Sequence, residues 1–399
     1  RHPRFHIGES LLPLNLPLFD QLGVREEIEA VGMVKYGVEF NSPTHDAPVT
    51  LDFAEAWDKN FPHAYQVRRS EFDHILFRNA VRRGAEAHEG TRVNRVEFEV
   101  DGPGALVTAR TDAGAQLQWR TRFVLDASGR DTLLATQFGW KQKNRRHNSA
   151  AVYGHFTGAQ RLAGRAEGNI SIFWFDHGWF WFIPLADGTT SIGAVCWPYY
   201  LKSRKTDVTR FFLDTIALCP KLAQRLENAA LVEPASATGN YSYAARRPSG
   251  RNYLMLGDAF AFIDPVFSSG VFLAMNSAFV GAEAVETCLD HPRQAPAALR
   301  RFDAVTRRGP KQFSWFIYRV TNPAMRELFM EPSNFWRLKE ALLAILAGDI
   351  FRGTPLGVRL LMFKVIYHLN CLSSPKRTVM AWRRRRRIIA ETYQESGAH

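Results

Sequence analysis

"LMLGDAFAFIDPVFSSGVFLAMNSA" runs from Leu254 to Ala278, and its reading decides the fold. The segment around it, "NYLMLGDA" (Asn252 to Ala259), has the apolar run of a parallel strand buried on both faces. That strand stops at Gly257-Asp258. A turn of Pro, Ser and Gly follows, and a helix opens near Ser269-Gly270. Gly257 permits a close backbone approach. Asp258 stands at a strand's carboxyl end, where a carboxylate can accept hydrogen bonds from sugar hydroxyls. The helix start offers free N–H groups and the positive end of a helix dipole, a setting suited to an anion. An ordinary capped strand-to-helix turn has the same features.

Working outward, "TRFVLDASGR" (Thr121 to Arg130) reads as another strand ending in a Gly-containing turn. A helix opens at Ser70, with Glu71 and Asp73 in its first turn and Phe72, Ile75, Leu76 and Ala80 as its apolar positions. Leu11 to Val24 has helical spacing broken by Pro13 and Pro17 and closed by Gly23. Val38 to Phe53 reads as a hairpin, and so does "RVNRVEFEV-DGPG-ALVTAR" from Arg92 to Arg110. Ala150 to Trp197 is rich in strands, a helix is predicted near Val208 to Asn228, and the pattern beyond Ser269 is helical.

The order predicts an α/β (α+β) chain whose nucleotide-binding domain is split by an antiparallel sheet. Residues 1–148 form the first part of that domain and 149–240 the β-rich substrate region. Residues 241–295 form the second part of the domain, and 296–399 a helical C-terminal region.

Composition narrows the function classes. The chain has 399 residues, 46% hydrophobic and 23% charged, an ordinary globular balance. The four cysteines are scattered and no metal-ligand spacing occurs, so neither a metal nor a disulfide framework is expected and a reducing cytoplasm fits. No apolar run is long enough to span a bilayer. The formal charge is +12, much of it late, in Lys376-Arg377 and Arg383 to Arg387. Such a tail can be a solvated surface or can attract an acidic partner.

"GWFWFIPLADG" (Gly178 to Gly188) places Trp179 and Trp181 on one strand face, followed by Ile183 and Pro184. Core packing alone can account for two such indoles.

Taken together, these stretches resemble the FAD monooxygenase superfamily with the aromatic-hydroxylase-like fold, and within it the flavin-dependent halogenases. "GDAFAFIDPVFSSGV" is similar to the second flavin motif, which implies cofactor contacts by Gly257, Asp258, Pro265 and Gly270. "VLDASGR" implies contacts by Asp126, Ser128 and Gly129. "YQVRRSEFDHILFRNA" implies contacts by Arg68 and Arg69, and "FHIGESLLP" (Phe5 to Pro13) is similar to the loop after the family's second strand. W-x-W-x-I-P is the halogenase signature, met by Trp179, Trp181, Ile183 and Pro184, which the family uses to partition substrate from flavin. "VKYGVEF" maps the family's essential lysine onto Lys35, and "DPVFSSGV" maps the halide turn onto Ser268, Ser269 and Gly270. The branch resembled acts on phenolic, pyrrolic or polyketide-type substrates.

The resemblance implies FAD, used as FADH2 from a separate flavin reductase, together with O2 and chloride or bromide. A flavin hydroperoxide would oxidise halide to hypohalous acid, which Lys35 would deliver to an electron-rich aromatic or acyl substrate, free or held on an acyl or peptidyl carrier protein. Nucleic acid is not an expected partner, and a membrane surface is the less favoured one. A halogenase-like monooxygenase or dehydrogenase without halide use is the alternative enzyme. A non-catalytic binding protein working through its basic tail is the third reading.

One element of the family pattern is missing. The G-x-G-x-x-G unit that would bind pyrophosphate does not precede "RHPRFHIGES", which opens at Arg1 and reads as the middle of a longer chain. Alone, these residues are expected to bind FAD weakly.

Overall fold

A computed structural model describes residues 1–99, 102, 104–144, 149–239, 242–373, 375, 378–383 and 386. Its largest sheet has eight strands. Seven follow the order Ala230–Leu231, Ala150–Thr157, Thr190–Cys196, Gly178–Pro184, Ile170–Phe175, Gly37–Asn41 and Val49–Asp52, and Ser236–Thr238 pairs beside Ala150–Thr157. All neighbours are antiparallel except Ile170–Phe175 and Gly37–Asn41. The β-rich region therefore draws two strands from the first part of the chain, including the predicted hairpin at Val38.

Period-two alternation gives this sheet two buried faces. Phe180 and Phe182 point to one side, where Phe211, Phe212, Ile216 and Leu222 of two short helices cover them. Each fully buried phenylalanine contributes about 2 kcal/mol. Trp179, Trp181 and Ile183 point to the other side, into a core shared with Leu11, Phe267, Phe272, Phe313 and Phe329. The covering helix predicted over Val208 to Asn228 is in fact two, Val208–Ala217 and Pro220–Arg225. Pro220 has no N–H for an interior helical bond, and it starts the second.

A smaller sheet carries the decisive stretch. Tyr253–Met255 lies parallel to Val124–Asp126, with Tyr253 opposite Val124 and Met255 opposite Asp126. Beyond it runs the 21-residue helix Gly270–Asp290, packed against Ala295–Ile317. Thr91–Phe98, Ala105–Thr111 and Gln116–Thr121 form a separate meander; Asp101 and Pro103 of its first turn lie outside the described residues.

The helical C-terminal region is not one continuous helix over residues 335–351. A 3-10 turn, Phe335–Arg337, precedes a short helix, Leu338–Leu346. Trp336 and Arg337 adopt left-handed backbone angles (φ 52° and 62°), which end any continuous helix there. The short helix is buried and covers the core. Gly357–Ser373 follows, burying only Phe363 and Tyr367. Of the basic tail, Arg383 and Arg386 are exposed, while Lys376, Arg377, Arg384, Arg385 and Arg387 lie outside the described residues. Among the described residues no helix is long and apolar enough to cross a membrane.

Candidate active site

The quoted strand ends where Gly257 turns at φ +49°. A Cβ there would stand 2.7 Å from Ala274 Cβ, so glycine is what lets the Gly270–Asp290 helix pack this close. Asp258 follows, partly buried. Burial lifts its carboxyl to about 6, against the opposing pull of Arg69 and Arg130. Among the described residues no hydrogen bond reaches its carboxylate; Tyr243 Oη donates to its backbone carbonyl at 2.9 Å.

The two arginines are held by other groups. Arg69 Nε donates to Asp73 Oδ1 at 2.9 Å, and its Nη1 donates to the carbonyls of Ile7 (3.1 Å) and Gly8 (3.3 Å). Arg130 Nη1 donates to Thr238 Oγ1 at 2.8 Å. Arg68, the other arginine of the motif, reaches away to Asp187 and to Thr189 Oγ1 at 2.6 Å, tying the Gly178–Pro184/Thr190–Cys196 turn to the helix start.

Gly270, at the end of the halide-type turn, lines the same cavity as Gly257 and Asp258. Pro265–Phe267 forms a 3-10 turn, and Ser268 follows in the left-handed region at φ 53°. Asp264 fixes the turn by accepting from Ser149 Oγ (2.7 Å) and Val266 N (3.3 Å). Ser269 is the buried N-cap of the long helix and makes no side-chain cap bond. The space a Cβ would fill at Gly270 is open. An uncapped N-terminus beside open space and a half-buried carboxylate with no hydrogen-bonding partner together fit a bound flavin and an anion.

Asp126 and Ser128 make hydrogen bonds within the chain. Asp126 accepts from the backbone N–H of Ser128 (3.0 Å) and Leu134 (2.8 Å), and Ser128 Oγ accepts from Leu133 N (2.9 Å). Both Asp126 oxygens are therefore engaged. Gly129, at φ +61°, has open space where a side chain would sit.

Lys35 sits in a different environment. It ends strand Met33–Lys35, which pairs with Ala64–Gln66, and Ser10 bridges to the same strand at Gln66. The lysine is 2% exposed. Its Nζ donates to Ser10 Oγ at 2.9 Å and to the Leu11 carbonyl at 3.1 Å, and it stands 5.3 Å from the Phe53 ring centre. Among the described residues no carboxylate pairs with it. Burial alone pulls its amine down to about 7.

The indoles lie on the sheet face described above. Trp181 lies across the neighbouring strand, where a Cβ on Gly193 would come within 2.2 Å of the indole. Its Nε1 donates to Ser191 Oγ at 3.1 Å. Glycine at 193 and serine at 191 thus fix the ring flat and give its N–H a partner. Tyr153 and His155 follow on the same face, on strand Ala150–Thr157.

One short stretch connects these parts. Arg69 grips the carbonyls of Ile7 and Gly8, Glu9 accepts from His155 Nε2 at 2.6 Å, and Ser10 and Leu11 hold Lys35. At an extended pitch of roughly 3.3 Å per residue, the arginine end and the lysine end are about 10 Å apart along the chain. The sequence had singled out Phe5 to Pro13 as a loop but not Ser10, Glu9 or His155, because their pairing is set across 25 and 146 residues. It also passed over Ser191, Gly193 and Arg130; a glycine in the interior of a strand is the signal that could have found Gly193.

Comparison with known proteins gives the same reading. The tryptophan halogenase family profile matches residues 47–341. A tryptophan 2-halogenase from Chondromyces crocatus is 34% identical over 293 residues, 72% of this chain. The chain spans 55% of that relative's length and 58% of a similar flavin-dependent halogenase from Penicillium aethiopicum. A 1H-pyrrole-2-carbonyl-[peptidyl-carrier protein] chlorinase from Pseudomonas fluorescens is 26% identical over 382 residues, 89% of this chain and 83% of its own. The solved structure of the myxobacterial chondrochloren halogenase, an FAD-dependent enzyme, superposes with a TM-score of 0.76 at 32% identity, covering 89% of this chain and 84% of its own. The chain belongs to the tryptophan halogenase family of flavin-dependent halogenases.

Proposed function

We propose that this chain carries the halide-handling and halogen-transfer parts of an FADH2- and O2-dependent halogenase acting on an electron-rich carbon. The observation that carries the reading is Lys35: an amine 2% exposed, with no carboxylate pairing with it among the described residues and poised at about 7. When bound, reduced flavin would supply two electrons and two protons, which with one further proton turn dioxygen and halide into hypohalous acid and water. A separate reductase supplies the reduced flavin.

The chain's own groups do the rest. Gly257 and Asp258 would hold the ribityl side of the flavin. The uncapped amides at Ser269 and Gly270, beside Ser268, would hold chloride or bromide. Trp179, Trp181, Ile183 and Pro184 would wall substrate away from the flavin, so that oxidant reaches halide first. Lys35 would then receive the hypohalous acid. As ammonium it donates a hydrogen bond to the oxygen; as free amine it takes the halogen, and the oxygen leaves as water. Burial makes both forms accessible near neutral pH. The substrate is phenolic, pyrrolic or polyketide-type, and the named substrate of the Pseudomonas relative supports a carrier-bound acyl form. The setting is cytoplasmic.

Lys35→Ala tests this directly. Halogenated product is expected to vanish, while FAD affinity and peroxide formation from reduced flavin stay nearly unchanged. Retained halogenation would remove Lys35 from the mechanism. Product that forms equally well without chloride or bromide would favour a halide-independent monooxygenase.

A further inference from the structure

The Gly357–Ser373 helix is apolar on two opposite sides. Its inner side packs Phe363 and Tyr367 into the core. Its outer side presents Val358, Leu361, Val365, Leu369 and Leu372, each between 51% and 73% exposed. These positions fall within about 80° of one another around the axis. The only other exposed side chains on this helix belong to His368 and Ser373. A helix hydrophobic all round is normally buried, so an aliphatic stripe left in water marks an interaction surface.

Three further observations define what covers it. First, Phe335 and Trp336 are exposed and stacked at the tip of the preceding turn. This tip adjoins the helix start: Arg337 and Arg359 both lie against the Trp57 ring, at 3.6 and 4.5 Å. Second, Trp336 and Arg337 hold left-handed backbone angles, a strained way to present two aromatic rings to solvent. Third, residues 350–390 contain ten Lys and Arg and no Asp or Glu, against a net +12 for the whole chain. Exposed Met380, Trp382, Arg383 and Arg386 lie in this same stretch.

We infer that this helix and the Phe335-Trp336 tip dock the protein on an anionic phospholipid surface. The aliphatic stripe and aromatic tip would enter the headgroup boundary, while the basic segment meets the negative surface. A second copy would bring two strongly basic segments together. An acidic protein would meet a helix face with no charged group to contact. Spacing alone cannot tell which side of this helix is covered; the structure leaves the Val358, Leu361, Val365, Leu369 and Leu372 side outside.

Vesicle flotation of the full chain tests the assignment. The chain is expected to float with vesicles of equal parts phosphatidylcholine and phosphatidylglycerol, not with phosphatidylcholine alone, and to be released as salt rises. Leu361→Ser with Leu369→Ser is expected to cut partitioning roughly tenfold, and Trp336→Ser to cut it less. All three residues are exposed, so thermal unfolding of each variant should match wild type and certify its fold. Failure to float, or flotation indifferent to the stripe, would overturn the assignment. A concentration-dependent dimer lost in the double variant would replace lipid with a second copy. Capture of an acidic carrier protein lost in that variant, without flotation, would replace lipid with that partner.

Discussion

Lys35 and Asp258 are both drawn toward neutrality by burial, the lysine down to about 7 and the aspartate up to about 6. Their surroundings differ. Lys35 is sealed and has two neutral acceptors at hydrogen-bond distance. Asp258 is open on one side and has two arginines nearby, but no hydrogen-bond donor reaches its carboxylate among the described residues. The Lys35 amine is satisfied by groups of the chain itself, whereas in the proposed reading the Asp258 carboxylate takes its hydrogen bonds from a ligand with hydroxyls to donate. A buried cation with no counter-charge is unfavourable for folding, so its presence points to chemistry. A half-buried acid at a strand end points to binding.

The largest consequence of that contrast is on stability. The unfolded chain holds the Lys35 proton up to about 10.5, and the folded chain releases it near 7. Between those values the unfolded state binds more protons, so stability rises with pH across that window and is lowest below 7. Lys35→Met is expected to stabilise the protein at pH 6 by about 3 kcal/mol, after allowing for the lost hydrogen bonds, and to flatten the slope. Denaturant titrations across the pH range read both. A destabilised methionine variant would mean that the amine is compensated after all.

The Asp258 effect is smaller and tilts the other way. Its raised carboxyl gives stability that is present in acid and lost as pH climbs from about 4 through about 6. Asp258→Asn is expected to gain about 1 kcal/mol above pH 6 in the free chain. The same change should weaken FAD binding by roughly tenfold, since the ribityl hydroxyls lose a charged acceptor. An asparagine variant with unchanged FAD affinity would make Asp258 a structural acid and erase the contrast with Lys35.

The strand-to-helix turn at Gly257-Asp258 was legible because its signals are local. A buried strand, Gly-Asp, a Pro/Ser/Gly turn and a helix start sit within one stretch, and the structure keeps them in that order. The burial of Lys35 was not legible at all, and only the resemblance singled that residue out. Nothing in "VKYGVEF" says that the lysine is buried, because Ser10, Leu11 and Phe53 reach it from other segments. Asp126 and Arg68 show the opposite limit: residue type and motif position marked them for a cofactor, while backbone amides occupy the one and Asp187 and Thr189 the other. The C-terminal helix shows a third limit. Residues 357–373 carry many apolar side chains, and only the packing shows which side is covered.

The central claim is that Lys35 is a buried amine poised at neutral pH, and following its own titration tests it most directly. Lysine side-chain NMR on wild type, assigned by the signal lost in Lys35→Met, should show that amine titrating near 7, well below the ordinary lysine value of about 10.5. A Lys35 signal that moves only near 10.5 would contradict the claim, because an amine fully charged throughout the working range is not the poised group this site requires.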